Sequence, residues 1–314
     1  MKLSTIAELR TKMRQNNIDQ RVIARAAGVG TLRGAMSGAV LPDGTVLSAK
    51  CPRLEQARFR GIEATTPPEL DVLFSAGFGH EEYLKSFFGG AGFDVIDVKG
   101  QEPVPVTFFH TTVSPPSPHV LREVATISEV HGVSWRGTPD FMVWDGVKWH
   151  GVEAKSQVSN WGTIKSIRAG WPQRKHILQC ANYMSVMGFD EWLLAVGHYF
   201  IAEADGEKYK PEVRWYRVYL TMVDGHERFA AENEAGESII LDFDRVSVLS
   251  YLKLLLESES KNVLAPRPKW KELFPSMKGY DECNYCPMSN ECNRADVGKL
   301  GYADWLERLK QKTK

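Results

Sequence analysis

Leu3, Ile6, Leu9 and Met13 recur at helical spacing and predict a short amphipathic helix over residues 3–15, before glycine-rich loops from Gly28 to Gly44. Ser48 as N-cap with Pro52 in the first turn predicts a helix that runs to about Arg60. Leu70, Leu73, Phe74, Phe78, Tyr83, Leu84, Phe87 and Phe88 follow the helical period over 69–88, with Gly77 and Gly79 as points where that helix breaks in two. Five prolines between Glu102 and His119 favour extended chain or loop around an edge strand. Two runs, 141–144 and 147–153, flank Asp145-Gly146 and predict a hairpin with a two-residue turn. A helix near 172–187, strands near 192–201 and 212–222, a leucine-rich helix near 246–257 and a cysteine-bearing, then helical tail from Pro266 complete the pattern.

A length of 314 residues suits two domains of about 150 residues, or one large α/β domain with extensions. With 43% hydrophobic and 25% charged residues, the composition is that of a soluble globular protein. The longest apolar stretch, Trp192 to Ala202, carries His198 and falls well short of the roughly 20 residues of a membrane span. The N-terminus holds no apolar signal core, so a cytoplasmic protein without membrane contact is expected. Net charge is zero, which excludes a globally basic nucleic-acid binder. Residues 1–60 nevertheless hold eleven Lys and Arg against four acidic residues, a local excess that suits a polyanion or forms a solvated basic face. Residues 1–45 are taken as a basic extension and 46–314 as the main domain.

The hairpin carries the chemistry. A turn at Asp145-Gly146 sets Asp140 opposite Gly151, with Glu153 as its diagonal neighbour roughly 7–8 Å away. Alternation puts Glu153 and Lys155 on one face while Ala154 points away. Two carboxylates that one cation can bridge suit a hard ion such as Mg²⁺ or Mn²⁺, which also takes waters and substrate phosphate. Lys155 would orient a nucleophilic water or offset charge on a phosphorane. An exposed salt bridge beside a turn is the plain alternative.

With Pro139-Asp140 and Glu153-Ala154-Lys155 in motif positions, the sequence resembles the PD-(D/E)xK nuclease superfamily. In its RecB-type branch a histidine upstream completes the metal site, which here implies His80, and the Ala154 carbonyl is a further implied ligand. Gln179 and Tyr183, four apart on one helical face, are similar to the Q-x-x-x-Y motif, which implies that they orient substrate and site. The resemblance implies a mixed central β-sheet flanked by helices, a restriction-endonuclease-like α/β core.

Of five cysteines, Cys283, Cys286 and Cys292 form C-x2-C-x5-C, Cys51 stands far upstream and Cys180 lies on the Q-x-x-x-Y helix. Three clustered thiols and one distant thiol suit tetrahedral zinc or an iron–sulfur cluster. Cys51-Pro52-Arg53 before a RecB-type core and C-x2-C-x5-C after it resemble the [4Fe–4S] exonucleases, among them the Cas-four family and the AddB nuclease domain. That resemblance, over residues 46–295, implies a [4Fe–4S] cluster tying the N- and C-terminal segments together, with Cys180 an ordinary buried thiol.

Trp161 and Trp171 among Lys165, Arg168, Arg174 and Lys175 form a candidate strand-binding wall, with core packing as the rival for the tryptophans; Arg53 contacts phosphate or supports the cluster. The whole pattern implies a Mg²⁺- or Mn²⁺-dependent DNA exonuclease acting on single strands or free ends, with 5′ polarity implied only by the resemblance. A zinc-stabilised, non-catalytic DNA-binding module is the alternative.

Overall fold

Eight strands build one large sheet: β1 Asp94–Asp97, β2 His119–Arg122, β3 Phe141–Trp144, β4 Trp149–Gln157, β5 Glu191–His198, β6 Glu212–Val223, β7 His226–Asn233 and β8 Ser238–Ile240. Each lies beside its neighbour in this series. The pairs β1–β2 and β4–β5 are parallel and the others antiparallel. The structure is a computed structural model that describes residues 29–62, 70–110, 117–157, 170–199, 202–204, 207–268 and 289–312. The helix expected over 3–15, Trp161, Lys165, Arg168, Cys283 and Cys286 lie outside those residues.

The described residues hold six helices: α1 Pro52–Phe59, α2 Leu70–Gly90, α3 Arg174–Met187, α4 Arg245–Ser260, α5 Ser289–Asp296 and α6 Tyr302–Lys312. A parallel β4–β5 pair needs a crossover, and α3 lies in that connection, ending at Gly188 in the left-handed region (φ 76°). On one face Leu84 and Phe88 of α2 pack on Val120, Phe141, Val143, Val152 and Ala195. On the other, Ile177, Leu178 and Met184 of α3 and Tyr251, Leu252 and Leu255 of α4 join Trp192, Leu194 and Val196 in the main core. The result is the expected mixed sheet between helical layers.

Several local expectations change. α2 runs unbroken through Gly77 and Gly79. Each glycine costs a helix about 1 kcal/mol, which burial of His80, Leu84 and Phe88 offsets. Ser48 ends a strand, Val46–Ser48, and its hydroxyl bonds the Lys50 carbonyl and the Tyr251 hydroxyl; α1 starts later, at Pro52. From residue 29 onward the supposed extension belongs to the core. Leu32, Met36 and Ala39 are fully buried, and Leu32–Arg33 pairs with Trp135–Arg136 at the edge of a second, four-stranded sheet. The proline-rich stretch supplies the opposite edge of that sheet through Val104–Pro105, where a missing N–H is tolerated.

Residues 29–48 dock on α3 through the Asn182 amide, which donates to the Gly34 carbonyl at 2.8 Å. The backbone comes so close that a Cβ on Gly34 would lie 2.7 Å from Tyr183 Cε1. Gly34→Ala is therefore expected to lower stability by about 1–3 kcal/mol in urea unfolding, the usual cost of overpacking; an unchanged midpoint would show that this contact is loose.

Candidate active site

Asp140 and Glu153 meet because the hairpin loop is longer than the sequence suggests. Asp145 Oδ1 accepts from the backbone N–H groups of Val147 and Lys148 at 2.7 and 2.9 Å, so four residues, not two, form the connection. Trp144 consequently pairs with Trp149, and Phe141 with Val152. The next register step brings Asp140 level with Glu153 rather than with Gly151. A shift of two residues preserves the face of every side chain, so the shared face survives while the two carboxylates become closer neighbours.

Asp140 Oδ2 accepts from the Ala154 N–H at 2.7 Å, and the Lys155 ammonium donates to Glu153 Oε1. Glu153 is 1% exposed and its Oε2 is buried with no hydrogen-bond partner. Burial, and then the charge of Asp140, push the Glu153 carboxyl up, against the pull of Lys155. Burial also raises Asp140, opposed by Lys155 and the Ala154 amide. Burial works against the Lys155 ammonium, but Glu153 and Asp140 outweigh it and hold its pKa above the ordinary lysine value. Lys155 therefore keeps its proton at neutral pH.

Tyr183 supports this end of β3 from α3. Its hydroxyl donates to the Thr138 carbonyl at 3.1 Å and bonds the Gln179 side chain, and its ring stacks on Trp192 at 5.3 Å. The Gln179/Tyr183 pair thus anchors the approach to Asp140. Cys180 is fully buried near Glu153, Lys155 and Asp140, and burial raises its thiol well above the ordinary value, as expected for a neutral thiol.

His80 is placed differently from its expected role as a ligand. It is buried on α2, Nε2–H donates to the Ala195 carbonyl at 3.1 Å, and Nδ1 accepts from the Tyr199 hydroxyl. Burial lowers its pKa. With both nitrogens engaged, the ring presents none to the acidic pair. Its neighbour Glu81, one position round the helix, is the residue that interacts electrostatically with Asp140 and Glu153. Burial, with the charges of Asp140 and Glu123, lifts the Glu81 carboxyl to about 7 against Arg122. The sequence signal for Glu81 was the helical period itself: His80, Leu84 and Phe88 are buried, which turns the next position toward the ends of β2 and β3.

Among the described residues no three His, Cys, Asp or Glu side chains are grouped as ligands of one ion. Mg²⁺ needs only one or two carboxylates, completed by waters and phosphate oxygens. The crowded Asp140/Glu153 pair and the orphaned Glu153 Oε2 fit that demand: hard oxygen donors whose mutual repulsion a cation would relieve.

The expected nucleic-acid contacts divide. Arg53 is 5% exposed and works inside the protein. Its Nε donates to the Ala265 carbonyl at 2.9 Å, its Nη1 reaches the Cys292 carbonyl at 3.5 Å, and it pairs with Asp296, so it is unavailable to phosphate. Arg174 pairs with Asp242 and lies over the Phe243 ring at 5.6 Å, which also removes it from a free basic wall. Lys175 and Trp171 are half-buried. Of the four thiols, Cys51 precedes α1 and Cys292 is buried on α5, where its sulfur accepts from the Trp305 indole N–H at 3.3 Å. Arg53 joins those two segments.

No protein-family model matches the chain, and no curated protein matches it. Among solved structures it is similar to SSO0001, with 15% identity, TM-score 0.39 and 88% of this chain against 94% of that one. It is also similar to the alkaline exonuclease LHK-Exo from Laribacter hongkongensis, with 12% identity and TM-score 0.36 over 75% of this chain and 93% of that one. A complex of LHK-Exo with dAMP gives 14% identity and TM-score 0.36 over the same shares. Likenesses this distant carry no functional argument; the site residues must.

Two outcomes follow from the geometry. A carboxyl with a raised native pKa favours the protonated fold, so its cost begins above the unfolded value near 4.5 and is complete above about 7 for Glu81. In EDTA, Glu81→Gln should gain stability relative to wild type as pH rises from 5 to 8; parallel melting curves across that range would refute the burial of this charge. Arg53→Ala should lose about 1–3 kcal/mol in urea unfolding, whereas an unchanged midpoint would show that its bonds to Ala265, Cys292 and Asp296 are dispensable.

Proposed function

We propose that this chain is a divalent-metal-dependent deoxyribonuclease that hydrolyses phosphodiester bonds at DNA ends. The observation that carries this reading is the buried Asp140/Glu153 pair with its orphaned oxygen and the protonated Lys155 bonded beside it. A structural salt bridge has no need of a second buried carboxylate, and a binding-only module gains nothing from acidic groups facing a phosphate backbone.

Asp140 and Glu153 would hold the ion, with the Ala154 carbonyl as a further oxygen donor and the Glu81 carboxylate adding negative charge behind them. When bound, such an ion supplies Lewis-acid stabilisation and makes water a better nucleophile. The residues then divide the remaining work. Lys155, whose ammonium Glu153 and Asp140 stabilise, would position the attacking water and offset the negative charge that builds on the phosphoryl oxygens. Gln179 bonds the Tyr183 hydroxyl, which in turn holds the Thr138 carbonyl, and the two so fix the approach to Asp140. In the balanced reaction water adds to phosphorus, one P–O ester bond breaks, the leaving alkoxide takes up a proton, and the other proton goes to solvent.

The finer reading keeps single strands and 5′ ends as substrate, in recombination, repair, phage DNA processing or CRISPR adaptation. It also keeps a [4Fe–4S] cluster on Cys51, Cys283, Cys286 and Cys292. The joining of the Cys51 and Cys292 segments by Arg53 supports such a tie between the chain's ends.

The test is degradation of labelled single-stranded and duplex DNA, blocked at one end or the other, by anaerobically purified protein with Mn²⁺, Mg²⁺ or EDTA. Metal-dependent loss from one free end is expected, with Lys155→Ala reduced at least about a hundredfold yet still binding DNA. Binding without cleavage under every condition would favour the DNA-binding module.

A further inference from the structure

Arg122 closes β2 beside the acidic site and is 6% exposed. Its Nη1 lies 2.5 Å from Glu82 and 3.7 Å from Asp97, and its Nη2 lies 3.4 Å from Glu81 and 3.9 Å from Glu123. Lys85 and Lys99 take the outer two of these acids, pairing with Asp97 and Glu123 at 2.7 Å each. Among the described residues, Arg122 is the cation in ion-pair contact with Glu81. The same strand end reaches β3: Arg122 is in register with Phe141, and the next residue, Glu123, held at φ 51°, donates its N–H to the Asp140 carbonyl at 2.9 Å. Arg122 therefore spans the gap between the α2 carboxylate and the strand that carries Asp140.

Only a planar fork can grip Glu81 and Glu82, which leave α2 in different directions; an ammonium is a single point charge. Around it, the carboxylates of Glu81, Glu82, Asp97, Glu123, Asp140 and Glu153 face four cations, Lys85, Lys99, Arg122 and Lys155. When all are ionised the group retains two negative charges, the complement of one divalent ion.

We propose that Arg122 is a positioning residue that holds Glu81 beside the Asp140/Glu153 pair and thereby sets the site's affinity for a divalent cation. The role rests on the metal-dependent reading above. Groups that lie behind the direct ligands typically change metal affinity about 10–100-fold when lost.

The test is Mn²⁺ binding to the full chain, read from the electron paramagnetic resonance of free Mn²⁺ and needing no turnover. It compares wild type, Arg122→Gln, Arg122→Lys and Glu81→Gln, with Arg122→Lys also in the Glu81→Gln background. Arg122→Gln should weaken binding about tenfold, with Arg122→Lys between it and wild type. Arg122→Lys should add no loss once Glu81 is Gln, because both act through one carboxylate. Arg122→Lys keeps the buried charge and so provides the measurement if Arg122→Gln does not fold. Affinity within twofold of wild type for Arg122→Lys, or an undiminished effect in the Glu81→Gln background, overturns the role. Wild type that takes up no Mn²⁺ overturns the metal-dependent reading first, and this role with it.

Discussion

Two carboxylates at neighbouring positions of a hairpin, taken out of water, repel each other, and much of the surrounding structure manages that repulsion. The β3–β4 register imposes it by setting Asp140 level with Glu153. Lys155 offsets part of it from the same strand, bonded to one oxygen of Glu153, while the other oxygen is left without a partner. A buried carboxylate oxygen left without a partner is costly for a fold, and in the reading proposed above a cation would relieve that cost. The Ala154 amide holds Asp140 from within the sheet, and Tyr183 of α3 holds the Thr138 carbonyl two residues before it, which keeps the pair from relaxing apart.

The helix α2 adds to the same problem and to its solution. Glu81 brings a third carboxylate, and Arg122 brings the fork that spans Glu81 and Glu82. His80, one residue away, faces β5 and is consumed by structural bonds. A single step along the helix, about 100°, separates a residue that packs from a residue that belongs to the site.

A second set of polar contacts, buried or half-buried, ties α1 to the segments that follow α4. Arg53 reaches Ala265, Cys292 and Asp296; Gln56 reaches Val263 and Ala265; Arg60 and Tyr302 share Glu259. All of these but the Tyr302–Glu259 bond join residues about two hundred positions apart, so they form only after the chain has met the loop-closure entropy of bringing those segments together. Residues 29–48 add a further tie to α3, which explains why a segment with loop-like composition carries fully buried Leu32 and Met36.

The sequence by itself determined what depends on local spacing. Period-two alternation put Glu153 and Lys155 on one face, and four-residue spacing put Gln179 beside Tyr183; both hold because they depend on local geometry alone, while Asp140 keeps that face because the register moved by two residues rather than one. The strands at 212–222 and the helices near 172–187 and 246–257 were legible for the same reason. Tertiary structure decided the rest. The Asp145 side chain lengthened the turn and moved the carboxylates into opposition; packing of α2 turned Glu81 rather than His80 toward them; and contacts more than two hundred residues apart in sequence drew Arg53 inward. Each outcome is set by which groups burial brings together, and burial is a property of the assembled layers rather than of any window of the chain.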